Sequence, residues 1–158
     1  MNLINILKYS LQLPKKDALF KLNRINMRDT FVYIIILFLL LFLPDAVQFV
    51  LDVKSARGSI PDVVIIQVVF LYPALTIFIT TLAITLLAGF AYLIKELLKR
   101  KLAYHQLWKM SSYALTLPIF FYLASKILNF DSLYIFLGLF IVFIFIMTSM
   151  IQVYPQKK

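Results

Sequence analysis

The sequence contains no cysteine, one glutamate (Glu96), one histidine (His105), one tryptophan and three glycines in 158 residues. Without cysteine there is no disulfide, no thiolate nucleophile and no cysteine-ligated metal. One histidine without a nearby pair of acids cannot supply the usual zinc ligand set. The glycines are isolated, so there is no glycine-rich phosphate loop. Gly-x-Ser-x-Gly, His-Glu-x-x-His and aspartate-rich diphosphate motifs are also missing. Glu96 lies beside Lys95, Lys99 and Arg100 and reads as helix ion pairing. The expectation is a chain that is not an enzyme, with no catalytic residues, no cofactor and no metal.

Charge is scarce as well. Charged residues make up 15% of the chain, whereas a soluble domain has about 25%. Hydrophobic residues make up 63%, and the mean hydropathy is +0.92. That balance excludes a water-soluble globule and also excludes disorder. The expected fold is all-α: a polytopic membrane protein with four transmembrane helices and N-terminal amphipathic surface helices. Abundant Ile, Leu, Phe, Lys and Asn point to an AT-rich genome and thus to a bacterium.

The chain divides by hydropathy. Residues 1–30 form a basic arm. Leu3, Ile4, Leu7 and Leu11 repeat at helical spacing, as do Ala18, Leu19, Leu22 and Ile25 after Pro14. Two short helices lying on the membrane surface fit this pattern. No short apolar region ending in small residues precedes Phe31, so the arm does not read as a cleaved signal peptide. Spans are expected at about 31–50, 73–93, 111–128 and 133–153, within a membrane domain of 31–153. Residues 52–62 make a loop, 129–132 a tight turn and 154–158 a basic tail. The apolar run 63–93 is too long for one straight crossing, since about 20 residues suffice. Tyr72-Pro73 is the expected break. That leaves 63–72 as an interfacial, re-entrant or outward-extended segment.

Four spans put both termini on one side. Six basic residues lie in the arm, five in the 94–110 loop and two in the tail, so thirteen fall on one side. Lys54, Arg57 and Lys126 are the three on the other. Cytoplasmic loops carry the Lys and Arg excess, so both termini are expected in the cytoplasm of a cell with this protein in its plasma membrane. The basic segments would meet anionic lipid headgroups. The net charge of +9 then needs no nucleic-acid partner.

Three features are candidates for function. Thr81, Thr85 and Gly89 are spaced by four in the second expected span. Small residues at that spacing allow close helix approach, so the row is a helix-packing face or the lining of a path. Asp45 is the candidate intramembrane polar residue. A carboxylate in a span suggests a proton or cation site, but its place after Pro44, near an interface, also fits a hydrated group or a pair with Lys54, Arg57 or Lys126. His105 reads as an interfacial polar residue. Tyr104, Trp108, Tyr113 and Tyr154 read as interfacial aromatic anchors.

The order of features is similar to a known family. The opening Leu13-Pro14-Lys15-Lys16, then Ala18-Leu19-Phe20-Lys21 and a basic lead into a span, is one point of likeness. The basic loop Lys95 to Lys109 running into Tyr113-Ala114-Leu115-Thr116-Leu117-Pro118 is another. Together they resemble the bacterial membrane proteins of domain-of-unknown-function family 1189, a relative of the Yip-type multi-pass superfamily. The resemblance implies no catalytic motif. Some members carry a maltodextrin-utilisation label, which implies an accessory role beside a transporter. Longer members have an extracellular insert after the first span, where this chain has only Asp52 to Asp62.

The expected function is that of a non-catalytic accessory or scaffold protein bound to another membrane protein or to itself. The alternative is a small oligomeric transporter or channel component, with Thr81, Thr85 and Gly89 along the path and Asp45 near its entrance. An enzyme acting on lipid is the least favoured class, because acids, bases and nucleophiles do not cluster.

Overall fold

The computed structural model describes residues 2–128 and 133–156. The expected turn at Asn129 to Ser132 and the tail residues Lys157 and Lys158 lie outside them. Among the described residues there are helices and no strand, apart from one isolated bridge between Arg100 and Gln156. Among the described residues three helices are long and apolar enough to cross a membrane: Met27–Arg57, Asp62–Leu97 and Leu133–Gln152.

Helix α3, Met27–Arg57, follows α1 (Leu3–Ser10) and α2 (Lys16–Asn23). It starts four residues before the expected span and ends seven after it. Two contacts extend it: Gln48 Nε2 donates to Asp52 Oδ1 one turn on, at 2.8 Å, and Ser55 Oγ donates to the Asp52 carbonyl. Gly58 stops it, with φ +73°, a left-handed conformation that glycine adopts without a Cβ penalty. Pro44 lies inside the helix and cannot bond to the Leu40 carbonyl. Beside it, the Tyr72 hydroxyl donates to the Leu39 carbonyl at 2.9 Å.

The long second run is one continuous helix, Asp62–Leu97. Helix α4 (Asp62–Ile66) passes through a single π turn, Gln67–Leu71, into α5 (Tyr72–Leu97). The π turn sits just ahead of Pro73. Proline has no N–H for the Val69 carbonyl, and the wider turn absorbs the defect instead of breaking the helix. At the far end, Lys99 takes φ 50°. Arg100 N–H bonds to the Lys95 carbonyl and Lys99 N–H to the Glu96 carbonyl, the paired bonds of a Schellman cap.

The expected third span, 111–128, is divided. Helix α6 runs Tyr104–Ala114 and α7 runs Thr116–Ile127. The division follows from Pro118, whose ring removes the bond to the Ala114 carbonyl. Neither piece alone is long enough for a crossing of about 20 residues. The two make one bent rod parallel to α3: Thr30 meets Tyr113, Tyr33 meets Thr116 and Asp45 meets Lys126. Helix α8, Leu133–Gln152, completes the bundle.

Burial concentrates toward one end. On α3 it falls on Thr30, Tyr33, Ile34, Leu37 and Phe38, and on α8 on Phe143, Ile146, Met147, Met150 and Ile151. Both are one helical stripe. Helix α6 is different, because every residue from Leu107 to Ala114 is buried. It is the central element, packed by α2, α3, α5 and α8. This corrects the reading of 94–110 as a polar loop. Trp108 and Tyr113 are not interfacial anchors: Tyr113 is 1% exposed, and Trp108 is buried with its ring stacked on Phe31.

The arm also differs from expectation. In α2 the apolar residues Ala18, Leu19 and Leu22 are covered by protein. In α1 the covered residues are Ile6 and Ser10, while Leu3, Ile4 and Leu11 stay exposed. The same side of the bundle collects the chain's later ends: Asn23 Nδ2 donates to the Tyr154 hydroxyl, and Arg100 Nη1 donates to the Tyr154 carbonyl.

Candidate functional site

Asp45 projects from the C-terminal half of α3, where Lys126 of α7 donates to its carboxylate. Two apolar grooves share Asp45 as a lining residue. One, about 440 Å³, lies between α3 and the α4–α5 junction, walled by Phe42, Phe49, Val68, Tyr72 and Ile79. The other, about 540 Å³, is enclosed by α3, α5, α7 and α8. Asp45 is therefore a lone charged group at the mouth of hydrocarbon-lined space, held by a counter-charge.

Thr81, Thr85 and Gly89 line neither groove. The face of α5 that packs is one residue round: Thr76, Thr80, Ile84, Ala88, Ala91 and Lys95. The hydroxyls of Thr81 and Thr85 turn back on their own helix, donating to the Ile77 and Thr81 carbonyls at 2.8 and 2.7 Å. A Cβ built on Gly89 meets nothing within 4 Å. The structure does not bring this row together with Asp45. His105 is exposed at the start of α6. Among the described residues no three of His, Asp and Glu converge as metal ligands would.

The densest polar chemistry lies elsewhere, at the N-terminal end of α3. The Thr30 and Tyr113 hydroxyls are 2.6 Å apart, and those of Tyr33 and Thr116 are 2.8 Å apart. The Tyr33 and Tyr113 rings pack at 6.0 Å between centroids. Below them, Lys109 Nζ donates to the carbonyls of Asn23 and Ile25, both at 2.6 Å, closing the C-terminal end of α2. Burial raises the pKa of Tyr154, beyond the end of α8, from its ordinary value. Lys95, also buried, bonds to Glu96 at 2.8 Å and lies over the Tyr92 ring.

This network was not readable in advance. Thr30, Tyr33, Tyr113 and Thr116 come from two distant segments, and no spacing rule links them. The packed α5 face carries the same four-residue spacing as the expected row, so only the neighbouring helices choose between them. The arrangement can hold helices in register and fasten the arm.

The family described as Protein of unknown function (DUF1189) matches residues 52–151. The match takes in the basic loop and the stretch Tyr113 to Pro118, and leaves out the Leu13 to Lys21 opening. No curated protein and no solved structure matches the chain. The match extends over more than half of the sequence, and the chain belongs to the DUF1189 family.

Proposed function

We propose that this chain is a four-pass plasma-membrane protein with both termini cytoplasmic, acting as a non-catalytic accessory or scaffold for another membrane protein. The observation that carries the functional reading is the separation of Asp45 from Thr81, Thr85 and Gly89. A transport path would join them in an enclosed polar cavity, whereas the space at Asp45 is lined by hydrocarbon.

Two further observations support the topology. The α6–α7 rod runs alongside α3 from Thr30 to Asp45, which supports reading it as a crossing, the third in chain order. The basic arm, the 98–103 loop and the segment after α8 meet at one end through Asn23, Arg100 and Tyr154. That clustering matches the Lys and Arg excess of a cytoplasmic side. The exposed Leu3 and Ile4 of α1, and Leu11 just after it, then face anionic headgroups beside the arm's lysines.

The test is affinity purification in mild detergent, followed by flux measurement in proteoliposomes. The expected result is a co-purifying membrane protein and no solute or ion flux. A partner-free monomer would remove the scaffold reading. Flux lost on Asp45→Asn or Gly89→Leu would establish the transporter alternative instead.

A further inference from the structure

We propose that the groove enclosed by α3, α5, α7 and α8 holds one hydrocarbon chain of a membrane lipid, with its phosphate–ammonium head beside Asp45 and Lys126. This proposal is independent of the accessory reading.

The groove has a closed floor and an open side. Phe38, Ile119 and Phe143 form the floor and are buried, at 7%, 5% and 4% exposure. Leu86 and Phe90 of α5 and Phe136 and Phe140 of α8 form the rim and are exposed. The mouth thus opens sideways between two apolar helices, toward hydrocarbon.

Lining and shape choose among occupants. Lining residues span Phe38 to Asp45, Leu115 to Tyr122 and Phe136 to Phe143. Each stretch covers two helical turns, a depth of roughly 10 Å. Along that depth the groove is apolar, closed at its floor and open on one side, a shape that a flexible acyl chain can enter from the hydrocarbon. Water is a poor occupant, because the walls offer almost no polar partners. An empty groove would forfeit dispersion contacts along its lining.

The outer end supplies the head-group contact. Asp45 and Tyr122 line the groove there, and Lys126 lies one turn further along α7, paired with Asp45. A carboxylate and an ammonium side by side complement a zwitterionic head, with its ammonium toward Asp45 and its phosphate toward Lys126.

The experiment uses the full chain in vesicles of phosphatidylethanolamine doped with the same lipid carrying a diazirine on one acyl chain. After irradiation, adducts are mapped by peptide. They are expected to concentrate in segments 83–90 and 136–143. Leu86→Trp at the exposed rim and Ala83→Phe inside the groove should each lower capture about tenfold, the factor for one unit of log affinity. Leu86→Trp alters an exposed side chain, so its result stands even if Ala83→Phe misfolds. A phosphatidylglycerol probe should label less, and Asp45→Asn should erase that difference. Adducts spread evenly over outer faces such as Ile65 and Phe78, unchanged by either substitution, would overturn the proposal. Equal capture of both probes by the unaltered protein would overturn the head-group assignment.

Discussion

The Tyr113 hydroxyl lies 2.6 Å from Thr30 Oγ1 in a buried contact that fastens α6 to the first turn of α3. Three residues on, Tyr33 and Thr116 repeat the contact at 2.8 Å. Both pairs are separated by 83 positions, so they fix the parallel register of the two helices. Tyr113→Phe is expected to cost about 1–2 kcal/mol, because Thr30 loses a buried partner. Thr30→Val should cost a similar amount. The double variant should be less damaging than the sum by about 1 kcal/mol. Unfolding in mild detergent measures all three, and strict additivity would show that the contact carries no energy.

Lys109 fastens the arm. Lys109→Met leaves the Asn23 and Ile25 carbonyls without their ammonium donor, and hydrogen bonds to charged groups contribute about 1.5–3 kcal/mol. The expected outcome is release of α2. Trypsin should then cut after Lys15, Lys16 or Lys21 faster than in the unaltered protein, while the rest of the bundle stays resistant. Lys109→Arg should restore part of the protection.

The two rows on α5 respond differently. Thr80 Oγ1 is buried and has no hydrogen-bond partner among the described residues. Thr80→Val keeps its shape and removes the unsatisfied hydroxyl, so a gain of about 1 kcal/mol is expected. Gly89→Ala should also stabilise, by about 0.5–1 kcal/mol, since a Cβ there meets open space and alanine is the better helix former. Thermal unfolding checks both. Loss of a complex in Gly89→Ala, with the monomer unharmed, would mark that row as an intermolecular face.

The absence of cysteine makes orientation directly measurable. Lys8→Cys, Ser59→Cys and Lys99→Cys place single thiols at exposed positions. In intact cells an impermeant maleimide should label only Ser59→Cys, and the other two should react after permeabilisation. The opposite pattern would reverse the assigned sidedness.

Much of the helical framework was legible in sequence. The apolar runs of α3, α5 and α8 each reach the length of a crossing, whereas the extension of α3 from residue 50 to Gly58 was not legible. Asp45 and Lys126 were readable as one possible pair among three. The central helix was not legible. Its sequence, Tyr104 to Ala114, holds a histidine, a lysine and two serines, and its first seven residues fell in the expected 94–110 loop. It becomes core because Lys109 finds two carbonyls, Ser112 Oγ bonds to the Trp108 carbonyl and Tyr113 finds Thr30. Hydropathy treats a polar side chain as solvated and cannot see a partner supplied by a distant segment.

The scarcity of charge and the long apolar runs by themselves pointed to helices long and apolar enough to cross a membrane. A helix suits hydrocarbon because each backbone group is satisfied within its own segment. Tertiary structure alone decided the rest. It placed α6 in the centre, turned Thr76, Thr80 and Ala88 inward in place of Thr81, Thr85 and Gly89, and set Asp45 at the mouth of an apolar groove. Those choices depend on which helix faces meet. Faces with the same spacing differ by only one residue, and that rotation is settled by contacts between segments far apart in the chain.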